Sequence, residues 1–292
     1  MPGDISPFLH LVYSRYYQIL TCNSNLQNNN NNVYVTTARY NLMNAEIIHP
    51  GSQPATWGFS ATLIWSVVIA LGFMIIQILV LILFVHFEYP DLSPQALKKI
   101  IPHFQTNGDV LSFATLATFF GANALLFGII KLKKSSNIKR YLALNTIRFT
   151  SVRFWFLVLT GFVCLSELVT HLLGKPLVPE FATSIYVATD SLWLLWIAIV
   201  LAGPVFEELF FRGFLITGLS STFIRPTGAI ILSSIAWAVI HTQYDLYGIV
   251  TIFIFGLLLG YARVKTNSTL LTMGLHMFMN FVAMIETSIV VS

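Results

Sequence analysis

One stretch of the chain reads Gly203-Pro204-Val205-Phe206-Glu207-Glu208-Leu209-Phe210-Phe211-Arg212-Gly213, which sets two carboxylates and a guanidinium among apolar residues. A charge at the centre of a bilayer costs at least about 2.5 kcal/mol on insertion scales, so three close together need a local reason. Glu208 and Arg212 are four apart and share a helix face, where they can pair and stay charged without bulk water. Glu207 is rotated about 100° from that face and has no partner at helical spacing. A carboxylate left free in this way is suited to take and return a proton, which makes Glu207 the candidate general base. Pro204 removes a backbone donor just before the pair and is expected to kink or restart the helix.

Two later segments carry complementary groups. Trp237-Ala238-Val239-Ile240-His241 sets an aromatic ring one turn before an imidazole, and His276-Met277-Phe278-Met279-Asn280 sets an amide one turn after one. At i,i+4 spacing each pair is expected on a single helix face. A lone histidine or asparagine in a membrane is more often interhelical hydrogen-bonding glue than a catalyst. Together with Glu207 they suit hydrolysis. Water between Glu207 and His241 can be deprotonated to attack a carbonyl, while His276 and Asn280 donate hydrogen bonds to the developing oxyanion. Gly256-Leu257-Leu258-Leu259-Gly260 is a small-xxx-small pattern and reads as close helix packing. Glu167 and His171, also four apart, read as a hydrogen-bonded pair on one helix.

The elements that must position these groups are set by composition. Only 10% of the 292 residues are charged and 56% are hydrophobic, with a mean hydropathy of +0.75. A soluble domain carries about 25% charged residues, so this much apolar sequence belongs in a bilayer. Continuous apolar runs at 59–87, 110–130, 154–174, 188–220, 227–243, 246–263 and 269–290 predict about seven transmembrane helices rather than a β-barrel, whose strands would alternate in polarity. The expectation is an all-α, polytopic membrane helix bundle. It divides into a polar leader over 1–57, variable membrane helices with a basic loop over 58–187, and a catalytic membrane core over 188–292.

The net charge of +4 follows from topology and does not call for nucleic acid. Lys131, Lys133, Lys134, Lys139, Arg140, Arg148 and Arg153 cluster between the second and third runs. Loops rich in Lys and Arg stay cytoplasmic. With seven crossings that rule puts the amino terminus, Arg15, Arg39, Arg225, Arg263 and Lys265 on the same side, and leaves Lys98, Lys99 and Lys175 opposite. The leader, broken by the Asn28–Asn32 tract, is expected to be disordered, with translation starting at Met43; peptides from residues 1–42 in native protein would refute that start. Cys22 and Cys164 have no metal or disulfide spacing.

The ordered set Glu-Glu-x-x-x-Arg, aromatic-x-x-x-His and His-x-x-x-Asn on successive hydrophobic helices resembles the CPBP intramembrane proteases, also called the type II CAAX prenyl endopeptidase or Abi family. The similarity runs over about 188–285 and includes Phe255-Gly256, Gly260-Tyr261 and Asn267-Ser268. The resemblance implies an all-helical membrane fold with a site open toward the cytoplasm. It implies Glu207 as catalytic base, His241 holding the water, His276 and Asn280 stabilising the oxyanion, and Glu208 and Arg212 in support. Trp237 departs from the family's usual phenylalanine; it keeps an aromatic wall and narrows the substrate space. The expected partners are the lipid bilayer and a peptide or membrane-associated protein, with CAAX-type processing as one form of the reaction and the bacterial plasma membrane as the setting. No cofactor and no metal is expected. The rival readings are a zinc protease ligated by Glu208, His241 and His276, which lacks a His-Glu-x-x-His motif; a non-catalytic scaffold or bacteriocin-immunity-type protein; and a proton-coupled transporter, for which the chain lacks an inverted repeat.

Overall fold

A computed structural model of the protein describes residues 55–91, 93, 95–96 and 101–292. The expectations for the leader, including its asparagine tract, Met43 and Cys22, fall outside the described residues, as do Lys98 and Lys99. The described residues form helices and no strand. They are α1 (Phe59–Glu88), α2 (Gly108–Leu132), the single turn α3 (Ile138–Tyr141), α4 (Phe149–Leu172), α5 (Glu180–Val187), α6 (Leu192–Ser220), α7 (Arg225–Val239), α8 (Leu246–Thr266) and α9 (Thr269–Val291). A 3-10 turn, Ile101–Thr106, precedes α2.

Six of these, α1, α2, α4, α6, α8 and α9, are long and apolar enough to cross a membrane. Helix α7 is not. At 15 residues it spans about 22 Å, short of a hydrocarbon layer of about 30 Å. The crossing expected over 227–243 is therefore a truncated helix followed by the polar turn Thr242–Asp245, so the bundle has six long spans and one short one. The third run also begins earlier than its hydropathy indicated, at Phe149, because the helix admits Thr150, Ser151 and Arg153 in its first turns.

Helix α1 is apolar all round and buries little beyond Thr62 and Ile69, so most of its surface faces lipid. It packs along α2 by fitting large residues against small ones. A Cβ on Gly72 would stand 2.7 Å from Leu125 Cδ2, and one on Gly121 would stand 2.6 Å from Ile76 Cδ1. The same device joins α7 and α8: a Cβ at Gly256 would meet Ser234 at 3.0 Å, and one at Gly260 would meet Ile230 at 2.8 Å. The small-xxx-small pattern thus serves packing, as its spacing indicated.

Polar residues fix the helix ends. Asn107 caps α2 by accepting from Val110 N (2.9 Å), Asp245 caps α8 through Gly248 N (2.8 Å), and Ser268 caps α9 through Leu271 N (3.1 Å). Between α8 and α9, Asn267 takes the left-handed conformation common at helix carboxyl ends (φ +50°). The buried Arg263 ties that corner to α6, donating to Thr269, Asn267 and Thr217 at 2.9, 3.1 and 3.1 Å.

Contacts between helix ends define two faces. At one, Thr56 bonds Ser221, Thr269 N donates to Ala143 O, and Asn145 donates to Asn267 O. At the other, Gly108 N donates to Ala188 O, Asp109 accepts from the backbone of Asp190 and Ser191, and Lys175 pairs with Asp245 at 2.6 Å. The first face holds the Lys131–Arg153 cluster with Arg225, Arg263 and Lys265. The second holds Glu88, Asp91, Asp109, Glu180, Asp190 and Asp245, with Lys175 as its described base. Charge is thus separated along the bundle axis.

Candidate active site

Helix α6 sets the site by departing from regular geometry. Two runs, Ile197–Ala202 and Glu208–Leu215, are wound as π-helix around the α-turn Gly203–Glu207. Pro204, at the start of that turn, has no N–H to give the preceding turn. The helix meets this by restarting as an α-turn at Gly203 and by widening on either side of it. Carbonyls loosened inside a bilayer need partners, and neighbouring helices provide them. Asn280 Nδ2 of α9 donates to Ile199 O at 2.8 Å, and Ser233 Oγ of α7 donates to Phe211 O at 3.0 Å.

The two glutamates diverge from this frame. Glu208 is fully buried, and its Oε1 lies 2.9 Å from Arg212 Nη1, which is the pair expected from i,i+4 spacing. The same oxygen lies 3.1 Å from His276 Nδ1. A carboxylate oxygen can only accept, so His276 Nδ1 carries the proton and Nε2 is left for other work. The Arg212 guanidinium lies over the Trp237 ring, 4.3 Å from its centroid. Its Nη2 has no hydrogen-bond partner among the described residues, and the indole face stands in for one.

Glu207 points to α7 instead. Its Oε2 accepts from Trp237 Nε1 at 2.6 Å, so it is half-buried and hydrogen-bonded rather than without a partner. The partner comes from another helix, which intrahelical spacing cannot register. His241 lies past the end of α7 rather than on its face, with Ile240 as the cap. Its Nδ1 nevertheless stays one turn above Trp237, 2.7 Å from the Trp237 carbonyl. That carbonyl is an acceptor, so His241 Nδ1 is the donor and Nε2 presents a lone pair.

Trp237 is therefore the hub. Its indole edge holds Glu207, its face holds Arg212, its carbonyl holds His241, and its ring packs T-shaped against His241 and His276 at 5.2 Å each. Its sequence position indicated only a wall. The available signal was the indole N–H itself, which the family's phenylalanine cannot supply. Tyr244 was missed altogether. Its ring lies 6.3 Å from that of His241 and 6.0 Å from that of Phe181. Burial and then the negative charge of Glu207 push its phenol above the ordinary value, so it presents a hydroxyl at neutral pH. No spacing rule marks it. Glu167, read as a partner of His171, instead hydrogen-bonds Glu286 on α9. His171 is exposed.

Residues 189–282 match the family model described as "Type II CAAX prenyl endopeptidase Rce1-like". Over this core the chain is similar to the CAAX proteases. The matched span begins just before α6 and ends just past Asn280, so it takes in every residue of the candidate site and leaves α1, α2 and α4 outside. No curated protein and no solved structure matches the chain. The matched core thus sits in an integral membrane protein, among helices long and apolar enough to cross a bilayer.

Proposed function

We propose that the protein is an intramembrane endopeptidase in which Glu207 and His241 activate a water molecule against a peptide bond. The observation that carries this reading is the arrangement around Trp237. One indole places the Glu207 carboxylate and the Nε2 lone pair of His241 on a common hub, with His276 against its other side. Glu207 takes the proton as the water attacks. The remaining amide proton of Asn280 is free to serve the carbonyl oxygen, with Ile199 O fixing that side chain, and His276, whose Nδ1 already donates to Glu208, joins it from Nε2 in the imidazolium form, in which both ring nitrogens donate. Glu208 and Arg212 act as a buried brace that orients His276. Arg212 beside Glu208 also favours a metal-free mechanism over zinc, since a cation already answers that carboxylate.

The test compares membrane proteins from cells holding the native chain and a Glu207→Ala chain at equal abundance. A new carboxy terminus present only with the native chain, and still formed in the presence of a chelator, is expected. Identical termini in the two cells would remove the peptidase reading, and zinc-restorable loss on chelation would move it to a metalloprotease.

Trp237 takes the role of a positioning residue for Glu207. A hydrogen bond to a charged group contributes about 1.5–3 kcal/mol, so Trp237→Phe should lower kcat by about 10- to 100-fold with little change in KM. Replacement by benzothienylalanine, which keeps the bicyclic shape without the N–H, should reproduce the loss. Full activity with that isostere would reduce the residue to packing.

A further inference from the structure

A water held between Glu207 and His241 meets two acceptors. The Glu207 carboxylate can only accept, and its Oε2 already takes the Trp237 N–H. Nε2 of His241 accepts as well, because Nδ1 donates to the Trp237 carbonyl. The water therefore gives one proton to each. Neither group fixes its two lone pairs, one of which must point at the substrate carbonyl for attack. A donor from a third element is needed to orient them.

Tyr244 has the chemistry and the place. It lies in the turn between α7 and α8, three residues past His241, and that turn is held at several points. Tyr244 N donates to His241 O at 3.1 Å, while Asp245 accepts from Gly248 N at 2.8 Å and pairs with Lys175 of the α4–α5 loop at 2.6 Å. The side chain is held too. A Cβ at Gly248 would stand 2.9 Å from Tyr244 Cβ and 3.4 Å from its Cγ, so α8 makes room for the phenol with a glycine. Phe181 of α5 packs T-shaped against the ring at 6.0 Å, and the His241 imidazole lies 6.3 Å from it. Burial and the charge of Glu207 both act on the hydroxyl, so that end lies inward; Asp245 turns to Lys175 instead, and Glu180 of α5 is exposed. Among the described residues the hydroxyl has no hydrogen-bond partner, although polar groups drawn in from water normally have one.

We infer that Tyr244 is a further catalytic residue, whose O–H donates to the water that Glu207 and His241 hold and leaves the other lone pair of that water directed at the substrate carbonyl. The catalytic role rests on the peptidase reading; the water site does not. In the attack the water oxygen bonds the carbonyl carbon, the carbonyl π pair moves to its oxygen, one proton passes to Glu207, and Tyr244 keeps its own. As the oxyanion re-forms the carbonyl and the C–N bond breaks, Glu207 returns that proton to the leaving nitrogen. A phenol that stays protonated beside a carboxylate suits this role, since a phenolate could not donate.

The test uses the full chain and a synthetic peptide spanning a cleavage site that depends on Glu207. Because the hydroxyl bonds nothing in the folded chain, Tyr244→Phe should leave thermal unfolding unchanged while kcat falls by about 10- to 100-fold at unchanged KM. Mono-, di- and trifluorotyrosine placed at position 244 keep the ring and make the phenol progressively more acidic. The alkaline limb of the kcat profile should move to lower pH in that order, whereas a residue that only packs would leave it in place. Fluorine NMR of the same chains reads the phenol directly, and it should ionise at lower pH in Glu207→Gln than beside the native carboxylate. Equal titration in those two chains, native kcat in Tyr244→Phe, or an alkaline limb indifferent to fluorination each overturns the inference. Linked titration without cleavage by any chain would remove the peptidase reading and leave the three-group water site supported.

Discussion

Glu207→Gln should abolish peptide hydrolysis while leaving the protein folded, with kcat down by about 10²- to 10⁴-fold, the range that general acid–base groups supply. Glutamine keeps the length of the side chain and an oxygen for the Trp237 N–H, so the 2.6 Å contact has a replacement acceptor. What it loses is the capacity to take a proton from water. Single-turnover assays on purified protein, beside a thermal unfolding curve in the same detergent, separate the two effects. Turnover within threefold of the native rate would mean that the base lies elsewhere.

Arg212 is expected to give the largest loss of stability. The guanidinium and the Glu208 carboxylate are both fully buried, and removing one partner of a buried pair costs about 3–5 kcal/mol because the other charge is stranded. Arg212→Met should therefore leave little folded protein. Glu208→Gln with Arg212→Met removes both charges, fills similar volume and should recover most of that loss, since well-packed neutral replacements of buried pairs are often tolerated. The double variant keeps an amide oxygen for His276 Nδ1 but loses the negative charge beside that imidazole, so stability should return without full activity. If Arg212→Met alone unfolds no more readily than the native chain, the pair is not the brace described above. Reversible unfolding in mixed micelles, followed by far-ultraviolet circular dichroism, reads this.

Membrane residence and helix order were legible because they depend on local composition. A run of about 20 apolar residues has few alternatives in water, and its charge-free length is written in the chain. The Glu208–Arg212 pair was legible for a related reason. Four residues on a helix bring two side chains together whatever else the fold does, and even the widened turns of α6 kept them 2.9 Å apart. The fifth run misled because hydropathy cannot tell a membrane-spanning helix from a short one that ends in a polar turn. Glu167 misled because its interaction with Glu286 runs between helices, where spacing along one helix carries no information.

By itself the sequence determined that this is an all-helical membrane protein, where its positive charge lies, and which few polar residues had to be accounted for within the bilayer. Those follow from transfer free energies and from the 3.6-residue period, both properties of contiguous residues. Only the tertiary structure decided that Trp237 of α7 holds Glu207 of α6, that His276 of α9 belongs to Glu208, and that Tyr244 stands against His241. Each of these depends on which helices are neighbours and at what rotation. Hydrogen bonds between residues 30 or 68 positions apart leave no periodic trace in the chain.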